Sequence, residues 1–197
     1  MSKVLISEVV TKTKIKRSVF ETYLYPVPDV EQAKLLLSEH QKKYPGADHH
    51  CYAWVFGAEQ ETRHSSDAGE PAGSAGKPML NALLSNDLTN VLAIVSRYFG
   101  GIKLGVKGLI EAYNSVVLEA IKQAGTEQFT ARDCLQIRCD YNIYELLKGL
   151  QTQYDLCLNA LAFESRVLLQ IECPQEHYQE LKKILAGFEA QKKLDFI

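Results

Sequence analysis

The chain has 197 residues, 46% of them hydrophobic and 23% charged, with a formal net charge of -2. This is ordinary globular composition, which excludes a disordered chain, a collagen-like repeat, a disulfide scaffold and a polycation that coats nucleic acid by bulk attraction. No run reaches the ~20 apolar residues of a membrane helix, and the start MSKVLISEVVTKTKIKR lacks the apolar stretch of a secretory signal, so a cytoplasmic protein without membrane attachment is expected.

Residues 2–27 are rich in β-branched and aromatic side chains and end at prolines, which predicts two early strands. A helix follows over PDVEQAKLLLSEHQKKYPG, with Asp29 as N-cap, Gln32 three residues on, apolar Val30, Ala33, Leu37 and Tyr44, and a Pro-Gly stop. HHCYAWVF alternates as a strand, and PMLNALLSN reads as a short helix opened by Pro78. NVLAIVSRYF is an apolar run bounded by Asn90 and a Gly-Gly pair, as expected of a strand buried on both faces. From Val106 to Ala124 apolar residues recur at three-and-four spacing until Gly125 closes the helix.

Beyond Gly125 the rhythm shortens. DCLQIRCDY is a strand, NIYELLKGLQTQY a helix with Asn142 and Glu145 in capping positions, and DLCLNALAFES and RVLLQIEC are two more strands. A helix from Pro174 to Gly187 and a last strand in AQKKLDFI complete the order β-α-β-β-α-β of a ferredoxin-like domain. The class is therefore α+β with two domains, placed at residues 1–128 and 129–197.

Two small-residue loops each run into a predicted helix: AGEPAGSAGK before Pro78 and FGGIKLGVKG before the long helix. The first turn of a helix leaves backbone N–H groups unpaired at its partly positive end, a natural seat for an anion. Gly73, Gly76, Gly100 and Gly101 are expected to expose backbone, Lys77, Arg97, Lys103 and Lys107 to attract phosphates, and Tyr98 or Phe99 to stack on a base. Neither loop matches a P-loop or an RNP motif. The plainer reading of the glycines is tight turns with solvent-facing cations around them.

Cys51 beside histidines, with Asp67 and Glu70 as paired carboxylates, raises a hydrolase alternative. On a strand, however, His49 and Cys51 share a face while His50 points the other way, so no metal set and no cofactor are expected. The five cysteines are scattered without a C-x-x-C pair, which reads as reduced and mostly buried thiols. The two central strands expected in the C-terminal sheet carry no internal aromatic on which bases would stack, so that sheet is expected to pack on a protein partner or on the other domain.

DAGEPAGSAGKPML followed by NVLAIVSRYFGGIKLGVKGLIEAY, with KRSVF and DHHCYAW, closely resembles the signature of the IMPACT family in its bacterial YigZ-like branch. The family motif falls on Asp67, Gly69, Glu70 and Pro71; Ala68 stands where the family usually has a second Asp, and Glu111 where it usually has Arg. The resemblance implies an N-terminal domain of the fold shared with a small-subunit ribosomal protein and domain four of elongation factor G, and a C-terminal domain like domain five of that factor. It also implies a translation-linked binding protein rather than an enzyme, since eukaryotic members regulate translation by binding a partner protein. RNA or ribosomal phosphate at the two loops is the expected target, with a protein partner as the alternative. The oligomeric state is left open.

Overall fold

From its N-terminus the chain lays down three strands where two were expected: Lys3–Leu5 (β1), Val9–Ile15 (β2) and Ser18–Pro26 (β3). Lys16 and Arg17 join β2 to β3 with φ of 49° and 90°, the two-residue hairpin geometry that Asn-Gly usually announces. The computed structural model describes residues 2–197. They divide into two compact units, one through Phe129 and one from Thr130 to Ile197.

In the first unit the hairpin is followed by Val30–Lys43 (α1), His49–Phe56 (β4), Thr62–Ser66 (β5), Gly76–Ser85 (α2), Val91–Tyr98 (β6), Gly105–Ala124 (α3) and Thr126–Gln128 (β7). The main sheet is antiparallel with order β2-β3-β6-β4-β5, and β1 and β7 form a separate two-stranded ribbon. β6 lies at its centre, and every residue from Val91 to Arg97 is buried, as the apolar run requires. Val91, Ala93 and Val95 pack under α2 and α3 with Met79, Leu83, Leu109, Val116 and Val117. Leu92 and Ile94 face the other way, against Ala33 and Leu37 of α1. At about 1.5 to 3 kcal/mol for each large apolar side chain buried, this two-sided strand holds the unit together.

α1 starts as its sequence dictates, Asp29 accepting the Gln32 N–H at 2.8 Å. Its buried stripe holds a polar residue, His40, whose Nε2 lies 2.7 Å from Ser96 Oγ, while His50 Nδ1 reaches the same hydroxyl at 2.9 Å. Burial first, then the neighbouring His50 and Lys43, pushes the His40 pKa down from 6.5 to about 4. The folded state therefore holds fewer protons than the unfolded chain between those values. Stability from this group is complete above pH 6.5 and is lost as pH falls toward 4. Urea unfolding at pH 7 and pH 4.5 should differ by about 2 to 3 kcal/mol on this account, and a His40→Gln variant should lose that part of the difference.

α2 begins two residues before Pro78, so the proline sits at the third helical position. Its missing N–H still falls among the first-turn groups that have no intrahelical partner, and the helix tolerates it.

The second unit runs Arg132–Cys139 (β8), Tyr141–Tyr154 (α4), Cys157–Phe163 (β9), Val167–Pro174 (β10), Gln175–Glu189 (α5) and Leu194–Phe196 (β11). Its strand order β11-β8-β10-β9 is ferredoxin-like, with β8 and β10 central. The α4 cap is Asp140, not Asn142, and the Asp140 carboxylate takes Arg166 Nε at 2.8 Å instead of a backbone donor. Leu135, Ile137, Leu169 and Ile171 turn inward under the helices. Cys134, Gln136, Arg138, Gln170 and Glu172 alternate with them on the other face. Leu168, opposite Ala162 of β9, lies on the same face, so the partner contact expected at this sheet would be mixed polar and apolar. Among the described residues no helix is long and apolar enough to cross a membrane.

Candidate binding site at the two glycine loops

The small-residue stretch after β5 is wound around a carboxylate. Asp67 Oδ2 accepts the Gly73 N–H at 2.8 Å, and its Oδ1 accepts those of Ala75 and Gly76, each at 2.9 Å. Gly73 and Gly76, expected above to offer open donors to an external anion, have given them to the chain's own acid at the N-terminus of α2. Burial by itself would raise the Asp67 pKa, but the three backbone donors outweigh it and hold it below the usual carboxylate value. Gly76 is small for a second reason. A Cβ there would stand 2.7 Å from the backbone of Ser66, so α2 starts in direct contact with the end of β5.

Glu70, three residues on, turns inward, 8% exposed. Its Oε1 receives Arg97 Nη1 at 2.6 Å and the Tyr113 hydroxyl at 2.9 Å. Arg97 Nη2 continues to Ser18 Oγ at 3.2 Å, and the Gly100 N–H meets the same hydroxyl at 3.4 Å. The guanidinium lies between the rings of Phe20 and Phe99, 5.5 Å from each centroid. Arg97 is therefore a buried, neutralised member of an internal network, where an open phosphate ligand was expected. Gly100 is packed rather than open, because a Cβ there would run into the carbonyl of Arg17.

Tyr98 does not share this place. It points to the α1 side, where its hydroxyl feels Glu21 and Lys12, because successive residues of a strand face opposite ways. Phe99, 45% exposed, is the aromatic beside Arg97, and its N–H is fixed by Asp48 Oδ2 at 2.8 Å.

The remaining chemistry-bearing residues are also tied inward. Cys51 Sγ donates to the Asp67 carbonyl at 2.9 Å and contacts the Tyr113 hydroxyl at 3.3 Å. Burial pushes its thiol pKa up to about 12, so at neutral pH it keeps its proton and is a poor nucleophile. His49 shares its face and bonds the Ala68 carbonyl at 2.9 Å, while His50 faces Ser96 on the opposite side. Among the described residues no group of three or more His, Cys, Asp and Glu is placed to hold a metal ion.

Between the loops lies a cavity of about 420 Å³, with Glu70 and Pro71 on one wall and Arg97, Phe99, Lys103 and Leu104 on the other. The two loops thus do meet at one patch. Gly73 and Lys77 line a neighbouring cleft of about 330 Å³ with Ile110 and Asn114. Gly101 is exposed, with φ of 82°. Lys107 is exposed and stands 4.0 Å from Glu111 one turn on, so part of its charge is answered locally. Sequence reasoning missed the ridge beside the cavity: Phe99, Ile102, Val106 and Ile110 are 45%, 39%, 55% and 40% exposed. The signal lies in FGGIKLGVKGLI, where apolar residues are interleaved with lysines and glycines.

Fold and site together define a two-domain α+β protein whose N-terminal sheet clamps an acidic small-residue loop onto a glycine-bearing strand end. The Impact N-terminal domain family matches residues 16–121, the span that contains both loops. The chain is 37% identical over 177 residues to IMPACT family member YigZ of Escherichia coli (strain K12), covering 89% of this chain and 87% of that one. It is 38% identical over 165 residues to an IMPACT family member of Haemophilus influenzae, covering 83% and 80%. A crystal structure of a hypothetical protein superposes with a TM-score of 0.69 at 34% identity, over 100% of this chain and 97% of the other. The chain belongs to the IMPACT family and is YigZ-like.

Proposed function

We infer that this is a translation-linked regulatory protein of the cytoplasm that works by binding, and that its contact face is the ridge of Phe99, Ile102, Val106 and Ile110 with the cavity beside it. The observation that carries this reading is four exposed apolar side chains close together in sequence, Phe99 and Val106 lining the apolar-walled cavity and Ile110 the cleft next to it, with the exposed cations Lys77, Lys103 and Lys107. Such a surface suits a protein partner with an apolar patch bordered by carboxylates. The link to translation rests on the family resemblance, and the eukaryotic partner does not carry over with it.

RNA or ribosomal phosphate is the second reading, favoured by the same three lysines. Co-sedimentation with purified ribosomes separates the two. On the protein reading, Phe99→Asp with Val106→Asp abolishes association, while Lys103→Glu with Lys107→Glu weakens it only a few-fold. On the phosphate reading the order reverses, and binding falls steeply with salt as counterions are released. No association by the intact protein, together with indifference to both pairs of substitutions in any partner assay, defeats the proposal.

A further inference from the structure

The opposite face of the N-terminal sheet carries a second site. Between α1 and the β4–β5 edge runs a groove of about 560 Å³, floored by aromatic rings from neighbouring strands. Trp54 and His64 are cross-strand partners, with ring centroids 4.8 Å apart and planes 31° apart. Tyr52 stacks on Trp54 at 5.3 Å and 24°, and lies 5.7 Å and 35° from His64. Its hydroxyl is 3.4 Å from His64 Nε2, which holds the two outer rings in register. The three rings lie partly over one another at 24° to 35°, an offset aromatic cluster with Tyr52 and His64 outermost. Trp54 is buried, whereas Tyr52 is half-buried and His64 exposed, so the outer rings remain open to a ligand.

The charges are one-sided. Lys34 of α1 lines the groove, as does Arg63, which starts from the other face of the edge strand β5 with its Nε given to the Gln60 carbonyl, and no carboxylate does. Open aromatic faces bordered by cations are the arrangement on which single-stranded nucleic acid binds: bases stack, phosphates follow the positive rim, and sequence matters little. Ser38 and Thr62, also in the lining, supply hydroxyls within the groove that suit a ribose 2′-hydroxyl.

We propose that this groove binds single-stranded RNA, stacking an unpaired base on the open faces of Tyr52 and His64 above Trp54 while Lys34 and Arg63 hold the flanking phosphates. The site lies on the α1 face, apart from the loop patch, and does not depend on what binds there.

Trp54 is the chain's single tryptophan, so its fluorescence reports on the groove directly. Titrating the full protein with a 12-nucleotide oligoadenylate should give saturable quenching. The affinity should fall with salt at a log–log slope of about -1.4, from two phosphates at about -0.7 each on a single strand. His64→Ala, at an exposed position that leaves the fold intact, should cost about 5- to 150-fold, the range for one lost stacking partner. Lys34→Glu with Arg63→Glu should abolish the salt dependence and most of the binding. The oligodeoxyadenylate should bind more weakly and an RNA duplex should not quench. Phe99→Asp with Val106→Asp should change nothing here, which keeps this test separate from that of the loop patch. Absence of quenching overturns the proposal, as do AMP binding as tightly as the oligomer, equal binding of the DNA strand or the duplex, or insensitivity to the His64 and Lys34/Arg63 substitutions.

Discussion

Glu70→Ala should lower the unfolding free energy by about 3 to 5 kcal/mol, the cost of removing one partner from a buried ion pair. The substitution leaves the Arg97 guanidinium, 5% exposed, with only Ser18 Oγ and two aromatic rings for company. It also takes the acceptor from the Tyr113 hydroxyl, itself fully buried. Arg97→Met is expected to cost a similar amount, because it strands the carboxylate instead. The decisive measurement is the double variant Glu70→Leu with Arg97→Met. Most of the cost of a broken buried pair comes from the unpaired survivor, so replacing both with apolar groups of similar size should recover much of the stability. Urea unfolding of the singles and the double gives the coupling. If the double is no more stable than the worse single, the pair is not the source of the effect.

Asp67→Ala should cost about 2 to 4 kcal/mol, more than an ordinary helix cap, because three backbone donors lose a charged acceptor together. Asp67→Asn keeps one carbonyl oxygen in the right place and should recover part of it. The pH dependence has a definite sign. The folded-state pKa of Asp67 lies below its ordinary value of 3.8, so the folded protein binds this proton less readily than the unfolded chain. The stabilisation is present above about pH 4 and disappears as pH falls through the lowered value. The gap between wild type and Asp67→Asn should therefore narrow in acid, in a window below the one set by His40.

Much of the scaffold was legible because it depends on local pattern. The buried strand Val91–Tyr98, the long helix ending at Gly125 and the C-terminal β-α-β-β-α-β order all follow from apolar periodicity and helix-end residues close by in sequence. What could not be read depends on pairs far apart in sequence. Glycine and alanine serve equally to open a backbone to an anion or to let two backbones touch. Only the position of Asp67, six to nine residues away, shows that the first loop does the latter. Arg97 looked like a surface cation until folding brought Glu70, 27 residues distant, against it. β5, the polar TRHSS, has no apolar alternation to announce it; it forms because β4 offers an open edge. The IMPACT family itself was recognisable from the two signature stretches, which turn out to be the halves of one clamp.

Phe99 joins the solvent-facing ridge to the interior, one ring face lying on the Arg97 guanidinium and nearly half its surface in water. The ring shields the ion pair beneath it from solvent, which strengthens the attraction within it. Loss of the ring would open the pair to water and weaken the attraction that ties the two loops together. Phe99 is thus both an outward-facing apolar contact and the roof of a buried charge pair.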